Sequence, residues 1–368
     1  MESSKRKAFA VILAAGEGTR MRSSRPKPLV RLCGKPMASH IIDAVAIAGI
    51  EEIVVVVGYK SDEVMTSLTR YAPLGVRLTF VEQKTQRGTG DAVAAAMTAL
   101  PDPLSFQGQV APTVLILPSD APLVKPTTLA KLLESHTLNN AAVYLAYTEL
   151  KNPFGYGRVI MGKSDAVLRI VEHKDANSDE LQITRVNSSI YAMSLDVISP
   201  ALRRLNNQNA QGEYYLTDVI EILARAGYKV SGFQVEDPDE VRGVNDRNQL
   251  SAVEQSMRER INTLFMSRGV NLVDPSSIYI DATVDIGQDV TLWPGTFLIG
   301  RTSVGTGAEI GPEVRISNSV VGDGARVIRS DIENCHVGEG AIVGPYAVLR
   351  AGAKIAPNTS TGSFVVLE

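Results

Sequence analysis

The sequence is poor in cysteine, histidine and tryptophan, and it has neither a long apolar run nor a large net charge. Its 368 residues include two cysteines, four histidines and one tryptophan. Cys33 and Cys335 lie too far apart for a disulfide framework or a zinc motif, and they suit a reducing cytoplasm. No apolar run approaches the roughly 20 residues of a membrane span, and the short run near the N-terminus does not indicate export. A net charge of −3 argues against a nucleic-acid partner.

The length predicts about two domains, and strand-like and helix-like segments alternate up to about residue 235. The strand candidates are residues 9–13, 53–57, 78–82, 113–117, 142–147 and 189–193, with amphipathic segments such as 38–49 and 90–100 between them. This alternation predicts an α/β domain with a doubly wound, mostly parallel sheet. Ligands of such sheets bind beyond the carboxyl ends of the strands.

The remainder of the chain has a different period. Residues 246–268 predict one long helix, capped by Asp246 and ended by Gly269. Aliphatic residues then recur six positions apart in three runs. The first is Ile286, Leu292, Leu298, Val304, Ile310 and Ile316; after a phase shift the second is Val321 and Val327, and the third is Val337, Val343, Leu349 and Ile355. This hexapeptide repeat predicts a parallel β-helix whose stacked coils bury the aliphatic side chains. We divide the chain into a first domain at 1–245, a linker helix at 246–270 and a β-helix domain at 271–368.

The most informative stretch is residues 8–30, in which a buried-strand pattern opens into a glycine loop. Gly16 and Gly18 allow backbone amides to approach a ligand, and Arg20 and Lys27 add two positive charges to the same loop. Bare amides and cations at a strand end form a site for a polyphosphate. The stretch lacks the Gly-Lys-Ser/Thr of a Walker loop, and Met21 stands where the dinucleotide fingerprint needs a third glycine.

Two further motifs carry polar groups that also have plain structural interpretations. Residues 83–92 contain Gly88 and Thr89 at a predicted helix start, which suits a charged ligand or a routine turn. Asp120 directly follows a buried strand, where an aspartate serves as a turn former or as the oxygen ligand that Mg²⁺ prefers.

The second half of the predicted α/β domain offers similar alternatives. Residues 152–158 and 172–176 frame a predicted hairpin whose polar groups suit either sugar hydroxyls or a solvated edge. Asn187 lies next to an apolar strand and suits either a ligand or local backbone groups. Asn245 lies in the loop before the long helix, where an asparagine serves either as a metal ligand or as a turn residue.

Together these motifs resemble one family. The glycine loop, with Thr-Arg-Met and Pro-Lys after it, is similar to the signature of sugar-1-phosphate nucleotidylyltransferases. Residues 172–176 (EHKDA) and 212–218 (GEYYLTD) narrow the resemblance to the bacterial N-acetylglucosamine-1-phosphate uridylyltransferases, commonly called GlmU, over nearly the whole chain. The resemblance implies uridylyl transfer from UTP to N-acetylglucosamine 1-phosphate with Mg²⁺. It also implies a left-handed β-helix through which the chain forms a homotrimer.

The resemblance implies a role for each candidate residue. Arg20 and Lys27 would be the catalytic cations that grip the triphosphate, and Asp120 and Asn245 would hold Mg²⁺. The other implied roles are nucleotide binding by Leu13, Ala14, Ala15, Gly16, Gly18, Gln83, Gly88 and Thr89, and sugar binding by Gly157, Glu172 and Asn187.

Three positions depart from the family pattern and leave the substrate preference open. Pro118 stands where tyrosine is common, Ser119 where glycine is usual, and Asp91 where histidine is customary. One alternative is therefore a nucleotidylyltransferase for dTTP, GTP or ATP, or for another hexose 1-phosphate. Another is a non-catalytic regulatory subunit, although such relatives usually lose the phosphate-gripping cations or the metal aspartate, which are intact here.

The family is often bifunctional, with an acetyltransferase in later coils of the β-helix. In the family, the catalytic histidine and the acetyl-CoA contacts lie further on than Glu368. None of the four histidines, His40, His136, His173 and His336, stands in the corresponding region. We therefore expect no acetyltransferase activity from this chain.

Overall fold

The computed structural model describes residues 6–106, 109–163, 165–350 and 352–368. The chain divides into two compact units. The first consists of the residues up to Val30 together with Pro36–Gln249, and the second of Arg31–Lys35 together with Leu250–Glu368.

Strands and helices alternate along the first two-thirds of the chain. The strands are β1 (Ala8–Ala14), β2 (Arg31–Leu32), β3 (Lys35–Pro36), β4 (Glu52–Val57), β5 (Arg77–Glu82), β6 (Thr113–Pro118), β7 (Val143–Glu149), β8 (Arg158–Met161), β9 (Val167–Val171), β10 (Arg185–Ser194) and β11 (Val230–Gln234). The helices are α1 (Met37–Ile47), α2 (Ser61–Tyr71), α3 (Thr89–Ala96), α4 (Pro126–Leu138), α5 (Ser178–Leu181), α6 (Leu195–Leu202) and α7 (Asp218–Arg225). Short 3₁₀ turns occupy Thr19–Met21, Lys27–Leu29, Met97–Ala99, Pro103–Phe106 and Pro238–Val241.

One twisted sheet organises the first unit, in the strand order β11-β7-β10-β6-β1-β4-β5. β1 is parallel to β4 and β6, and β4 to β5, whereas β10 is antiparallel to β6 and β7. The hairpin of β8 and β9 joins the edge of β10. Successive residues of β1 enter two apolar clusters on opposite faces, Phe9 and Val11 on one and Ala10 and Ile12 on the other. The predicted doubly wound, mostly parallel sheet is confirmed.

The register of this sheet brings distant loops to one edge. β1 and β6 run in parallel, with Leu13 opposite Pro118, so the glycine loop and the segment around Asp120 emerge side by side. A backbone hydrogen bond from Ser119 N to Leu13 O (3.1 Å) extends this pairing by one residue. The loop that follows β11 reaches the same edge, because Val244 N donates to Asp120 O at 2.8 Å.

The second unit contains most of helix α8 (Arg247–Ser267) and a stack of short strands. A 3₁₀ turn at Pro275–Ser277 precedes most of these strands. The strands are β12 (Asn271–Leu272), β13 (Tyr279–Ile280), β14 (Asp285–Ile286), β15 (Thr291–Leu292), β16 (Phe297–Ile299), β17 (Ser303–Val304), β18 (Glu309–Ile310), β19 (Arg315–Ser317), β20 (Val320–Val321), β21 (Arg326–Val327), β22 (Asp331–Glu333), β23 (His336–Val337), β24 (Ile342–Val343), β25 (Val348–Leu349), β26 (Lys354–Ile355) and β27 (Val366–Leu367).

These strands form three parallel sheets, one for each side of a prism. Each strand pairs with the strand three further on, in the next coil, except that β25 pairs with β27. All twelve aliphatic residues predicted to point inward are buried. The phase shift does not break the stack, although the spacing of stacked residues shortens by one from Leu292–Ile310 to Ile310–Val327 and again to Val327–Val343. The later coils are therefore one or two residues shorter, and the difference falls in the corners between the strands. This is the architecture expected of a left-handed β-helix of hexapeptide repeats.

The glycine that follows many of the inward aliphatic residues has a steric cause. At Gly322, a Cβ atom would lie 2.6 Å from the backbone nitrogen of Glu339 in the next coil. Stacked corners approach so closely that only glycine fits. Within the residues that the structure describes, none of the helices has the combination of length and apolar character that crossing a bilayer requires.

Candidate nucleotide site

The glycine loop is shaped around the side chain of Lys27. Gly18 has a φ of +67°, and a Cβ atom there would lie 2.6 Å from Cβ of Lys27. Glycine is therefore required both for the left-handed backbone and for the space that the lysine stem fills. Gly16 is different, since nothing lies within 4 Å of the position of its missing Cβ. Its backbone faces open space, where a ligand can approach the amide.

Four side chains from three separate loops converge beyond the ends of β1 and β6. The Lys27 ammonium donates to the Asp120 carboxylate and, at 3.0 Å, to Oδ1 of Asn245. Arg20 donates from its guanidinium to the same Asn245 oxygen at 2.9 Å. The Lys27 and Asp120 side chains are 14% and 22% exposed, so their contact is largely shielded from water. Two cationic side chains and two side chains with acceptor oxygens are thus linked by hydrogen bonds.

The Asp120 and Asn245 oxygens fit a divalent cation on the evidence of this arrangement. Both oxygens already converge on one positive charge, the Lys27 ammonium. No group of three or more His, Cys, Asp or Glu side chains able to hold a metal occurs among the described residues. A site with only two protein oxygens suits Mg²⁺, which usually keeps waters and binds substrate phosphates.

A cavity of about 410 Å³ opens on one side of this cluster. Ten of the predicted residues line it: Leu13, Ala15, Gly16, Gly18, Arg20, Lys27, Gln83, Gly88, Thr89 and Asp120. Ala14 does not, because it is the last residue of β1 and its side chain is buried in the apolar cluster below. The structure therefore brings together every predicted nucleotide-binding residue except Ala14.

The loop before α3 closes the far side of this cavity. Gly88 has a φ of +113°, and a Cβ atom there would lie 2.6 Å from Tyr214 O. Backbone hydrogen bonds from Gly90 N to Tyr214 O and from Tyr214 N to Arg87 O, both 2.8 Å, tie the loop to the 212–218 motif. The Thr89 hydroxyl accepts from Leu216 N at 3.0 Å. These contacts join the two motifs in space, and they give Thr89 a structural role as well.

A second cavity, of about 480 Å³, adjoins the first and shares Arg20, Pro118, Asp120 and Ser189 with it. The three predicted sugar-binding residues line this second cavity, and so does Asn245. They also touch one another. A Cβ atom on Gly157 would lie 3.4 Å from Oε2 of Glu172, and Asn187 N donates to Gly157 O at 2.9 Å.

Glu172 and Asn187 differ in what they leave free for a ligand. Burial raises the pKa of the Glu172 carboxyl, and the Thr217 hydroxyl that donates to Oε1 at 3.1 Å opposes this rise. The Asn187 amide is used within its own strand, because Nδ2 donates to the Tyr191 hydroxyl at 2.7 Å and Oδ1 accepts from Ser189 N at 3.1 Å. The structural interpretation of Asn187 therefore holds alongside any role in binding.

Some lining residues were not predicted from the sequence. Ser189 borders both cavities and has a φ of +61°, at the irregularity where β10 changes register against β7. Glu213 and Gln86 line the first cavity. Both belong to motifs that the sequence already singled out, so proximity to a motif was the available signal. The left-handed conformation of Ser189 has no sequence signal.

Comparison with known proteins agrees with this geometry. Residues 10–179 match the MobA-like NTP transferase domain, and residues 334–368 match the bacterial transferase hexapeptide repeats. The fold and the site define the chain as a nucleotidyltransferase that carries a hexapeptide-repeat domain.

Its relatives define the family. The bifunctional protein GlmU of Halalkalibacterium halodurans is 40% identical over 360 residues, which cover 98% of this chain and 76% of that protein. The proteins of the same name from Shouchella clausii and Brevibacillus brevis are 41% and 42% identical, with the same coverage. The chain belongs to the GlmU family.

Proposed function

We propose that the chain transfers a uridylyl group from UTP to N-acetylglucosamine 1-phosphate and releases pyrophosphate. The observation that carries this proposal is the cluster of Arg20, Lys27, Asp120 and Asn245 at the junction of two cavities. A nucleotide in the first cavity and a sugar phosphate in the second would meet at these charges. Membership of the GlmU family supports this choice of the two substrates.

The reaction requires little covalent chemistry from the protein's own side chains. A sugar phosphate is already a nucleophile near neutral pH, so no side chain has to remove a proton. The obstacle is the approach of one anion to another, and catalysis is alignment with charge neutralisation. Arg20 and Lys27 would supply that charge where the α-phosphate reacts. Arg20 lines both cavities, and Lys27 lines the first and contacts Asp120 and Asn245, which line the second. Removing one such preorganised charge costs about 10²–10³ in rate.

Asp120 and Asn245 would hold Mg²⁺ in this proposal. The chemistry that the ion supplies when bound is further neutralisation of the phosphate charge. For the two oxygens to bind a metal, the Lys27 ammonium has to leave them, and the phosphates offer it new partners. The side chain that fills the metal position in the free protein is thus the one that the reaction needs elsewhere.

On the sugar side, Gly157, Glu172 and Asn187 would contact N-acetylglucosamine. The Glu172 carboxylate accepts hydrogen bonds from sugar hydroxyls when it is ionised. Because burial raises the pKa of Glu172, sugar binding should weaken with falling pH at a higher pH than it would with an unperturbed glutamate.

A pyrophosphate-release assay tests the proposal. Purified protein and Mg²⁺ are combined with UTP, dTTP, GTP or ATP, each against N-acetylglucosamine 1-phosphate and glucose 1-phosphate. Turnover confined to UTP with the N-acetyl sugar supports the proposal. A different preferred pair moves the specificity, and no turnover in any combination favours a regulatory subunit.

Three further parts of the proposal concern the whole protein. Residues 1–245 act as the catalytic domain in the cytoplasm, and the β-helix after the linker helix assembles a homotrimer. Exposed apolar side chains on the β-helix, among them Phe297, Val320 and Ile342, support assembly, and sedimentation equilibrium tests it. Absence of acetyltransferase activity stays a prediction, measured as CoA release from acetyl-CoA with an amino-sugar 1-phosphate. The relatives are named bifunctional, so this assay is informative either way.

A further inference from the structure

The side-chain amide of Gln83 is held in one orientation by two hydrogen-bond acceptors. Gln83 is buried at 5% exposure, directly after β5, and its backbone N donates to Val57 O at 2.8 Å. Its Nε2 donates to Gly88 O at 3.1 Å and to Oδ2 of Asp91 at 2.8 Å. A carbonyl and a carboxylate accept but do not donate, so the reversed amide would place oxygen against oxygen.

This orientation decides what Gln83 offers to a ligand. Both N–H groups of the amide are occupied, and Oε1 lies on the other side of the amide carbon. No hydrogen bond to Oε1 is present in the part of the chain that the structure describes, and Gln83 lines the nucleotide cavity. The cavity therefore presents an acceptor at this position and not a donor.

Asp91 is the residue that makes the orientation strict. It lies in the first turn of α3 with a side chain 16% exposed, and the Arg87 guanidinium donates to its other oxygen, Oδ1, at 2.7 Å. With Oδ1 held by Arg87, Oδ2 is directed to Gln83. Gly88 O alone would leave one N–H of the amide without a partner.

We infer that Asp91 is a positioning residue that sets the base preference of the site, because it fixes Gln83 as an acceptor toward the base. An acceptor favours a pyrimidine whose ring nitrogen N3 carries a hydrogen, as in uracil and thymine. It disfavours cytosine, whose N3 is itself an acceptor. The inference rests on the proposed function, in which Gln83 contacts the nucleotide base. A wrong donor–acceptor match of this kind costs about 1–3 kcal/mol.

The test is Asp91→Asn, compared with Arg87→Gln as a matched control. Both substitutions remove the Arg87–Asp91 ion pair, but only Asp91→Asn lets the neighbour of Gln83 present a donor and so releases the amide. We expect Asp91→Asn to lower the UTP-to-CTP ratio of kcat/KM at least about tenfold, mainly through KM. Arg87→Gln should leave the ratio within about threefold of wild type.

Calorimetric binding of UTP and CTP without the sugar phosphate provides a readout that does not depend on turnover. Suppose that wild type turns over UTP, but Asp91→Asn changes neither the UTP-to-CTP ratio of kcat/KM nor the UTP-to-CTP ratio of binding affinities. The inference is then wrong and the proposed function stands. Equal effects of the two variants would also overturn it, since Asp91 would then act only through its ion pair. If Asp91→Asn does not fold, Asp91→Ser removes the same contact and is judged by the same ratios.

Discussion

Replacing Lys27 with methionine should tighten metal binding to the free protein while it slows the reaction. In the free protein, the ammonium contacts both oxygens that a metal would take, the Asp120 carboxylate and Oδ1 of Asn245. Metal binding therefore has to displace it. Methionine keeps an unbranched stem to pack against Gly18 and removes only the charge.

The magnitude follows from the environment of the pair. A hydrogen bond to a charged group contributes about 1.5–3 kcal/mol, and this one is largely shielded from water. Part of this is recovered when the displaced ammonium is hydrated, so we expect a net gain of about 1–2 kcal/mol. This corresponds to metal binding that is about 5 to 30 times tighter. Turnover should fall by about 10²–10³, because the same charge is lost from the reacting phosphates.

The assay is titration of nucleotide-free protein with Mn²⁺, followed by electron paramagnetic resonance, next to the pyrophosphate-release rate of the same sample. Lys7→Ala is the control, since the exposed Lys7 ammonium pairs with Glu52 at the other end of β1 and lines neither cavity. It should change neither quantity by more than about twofold. Unchanged or weaker Mn²⁺ binding by folded Lys27→Met would refute the competition between ammonium and metal.

Other substitutions test the remaining parts of the site and the fold. Arg20→Ala should lower kcat by about 10²–10³ with a smaller change in KM, and a loss under about tenfold in steady-state kinetics would contradict its role. Gly157→Ala would place a Cβ atom 3.1 Å from Ile170 and 3.4 Å from Glu172. It should raise KM for the sugar phosphate about tenfold and leave KM for UTP nearly unchanged, and equal changes in both would argue for a general disturbance. Burial and the nearby Arg6 lower the pKa of His136 from 6.5 to about 4. The unfolded chain therefore binds more protons than the folded one between these values, and the free energy of unfolding should fall by up to about 3 kcal/mol as the pH drops from 6.5 to 4. Urea unfolding should show a shallower pH dependence for His136→Gln, and an unchanged dependence would assign it to other groups.

Periodic patterns predicted the fold well because they arise from local geometry. The strand candidates all lie within strands or overlap them by most of their length, and Asp246 caps the long helix by accepting from Gln249 N at 2.8 Å. Ile332 was missed in the β-helix, although it is fully buried. Its neighbours in the repeat, Val327 and Val337, each stand five residues away, and a six-residue period has no place for it. The stacked coils therefore accommodate five-residue spacings, which a strict six-residue period does not predict.

The site was predictable in its members but not in their contacts. Lys27 and Asp120 belong to different loops, and only the parallel pairing of β1 with β6 brings them together. Asn187 was left between a ligand and a structural role, and its hydrogen bonds to Tyr191 and Ser189 depend on the register change within β10. Such contacts join residues that are remote in sequence or conformations that have no residue preference.

The sequence alone determined the α/β and β-helix architectures, the glycine loop and the candidate charges, because period and motif are properties of short segments. The tertiary structure decided which groups face one another. It put the Lys27 ammonium between the Asp120 carboxylate and the Asn245 amide oxygen, and it gave Gln83 a single amide orientation through Asp91. The physical reason is that hydrogen bonds and ion pairs act over a few ångströms, and strand order, not sequence distance, sets which groups come that close.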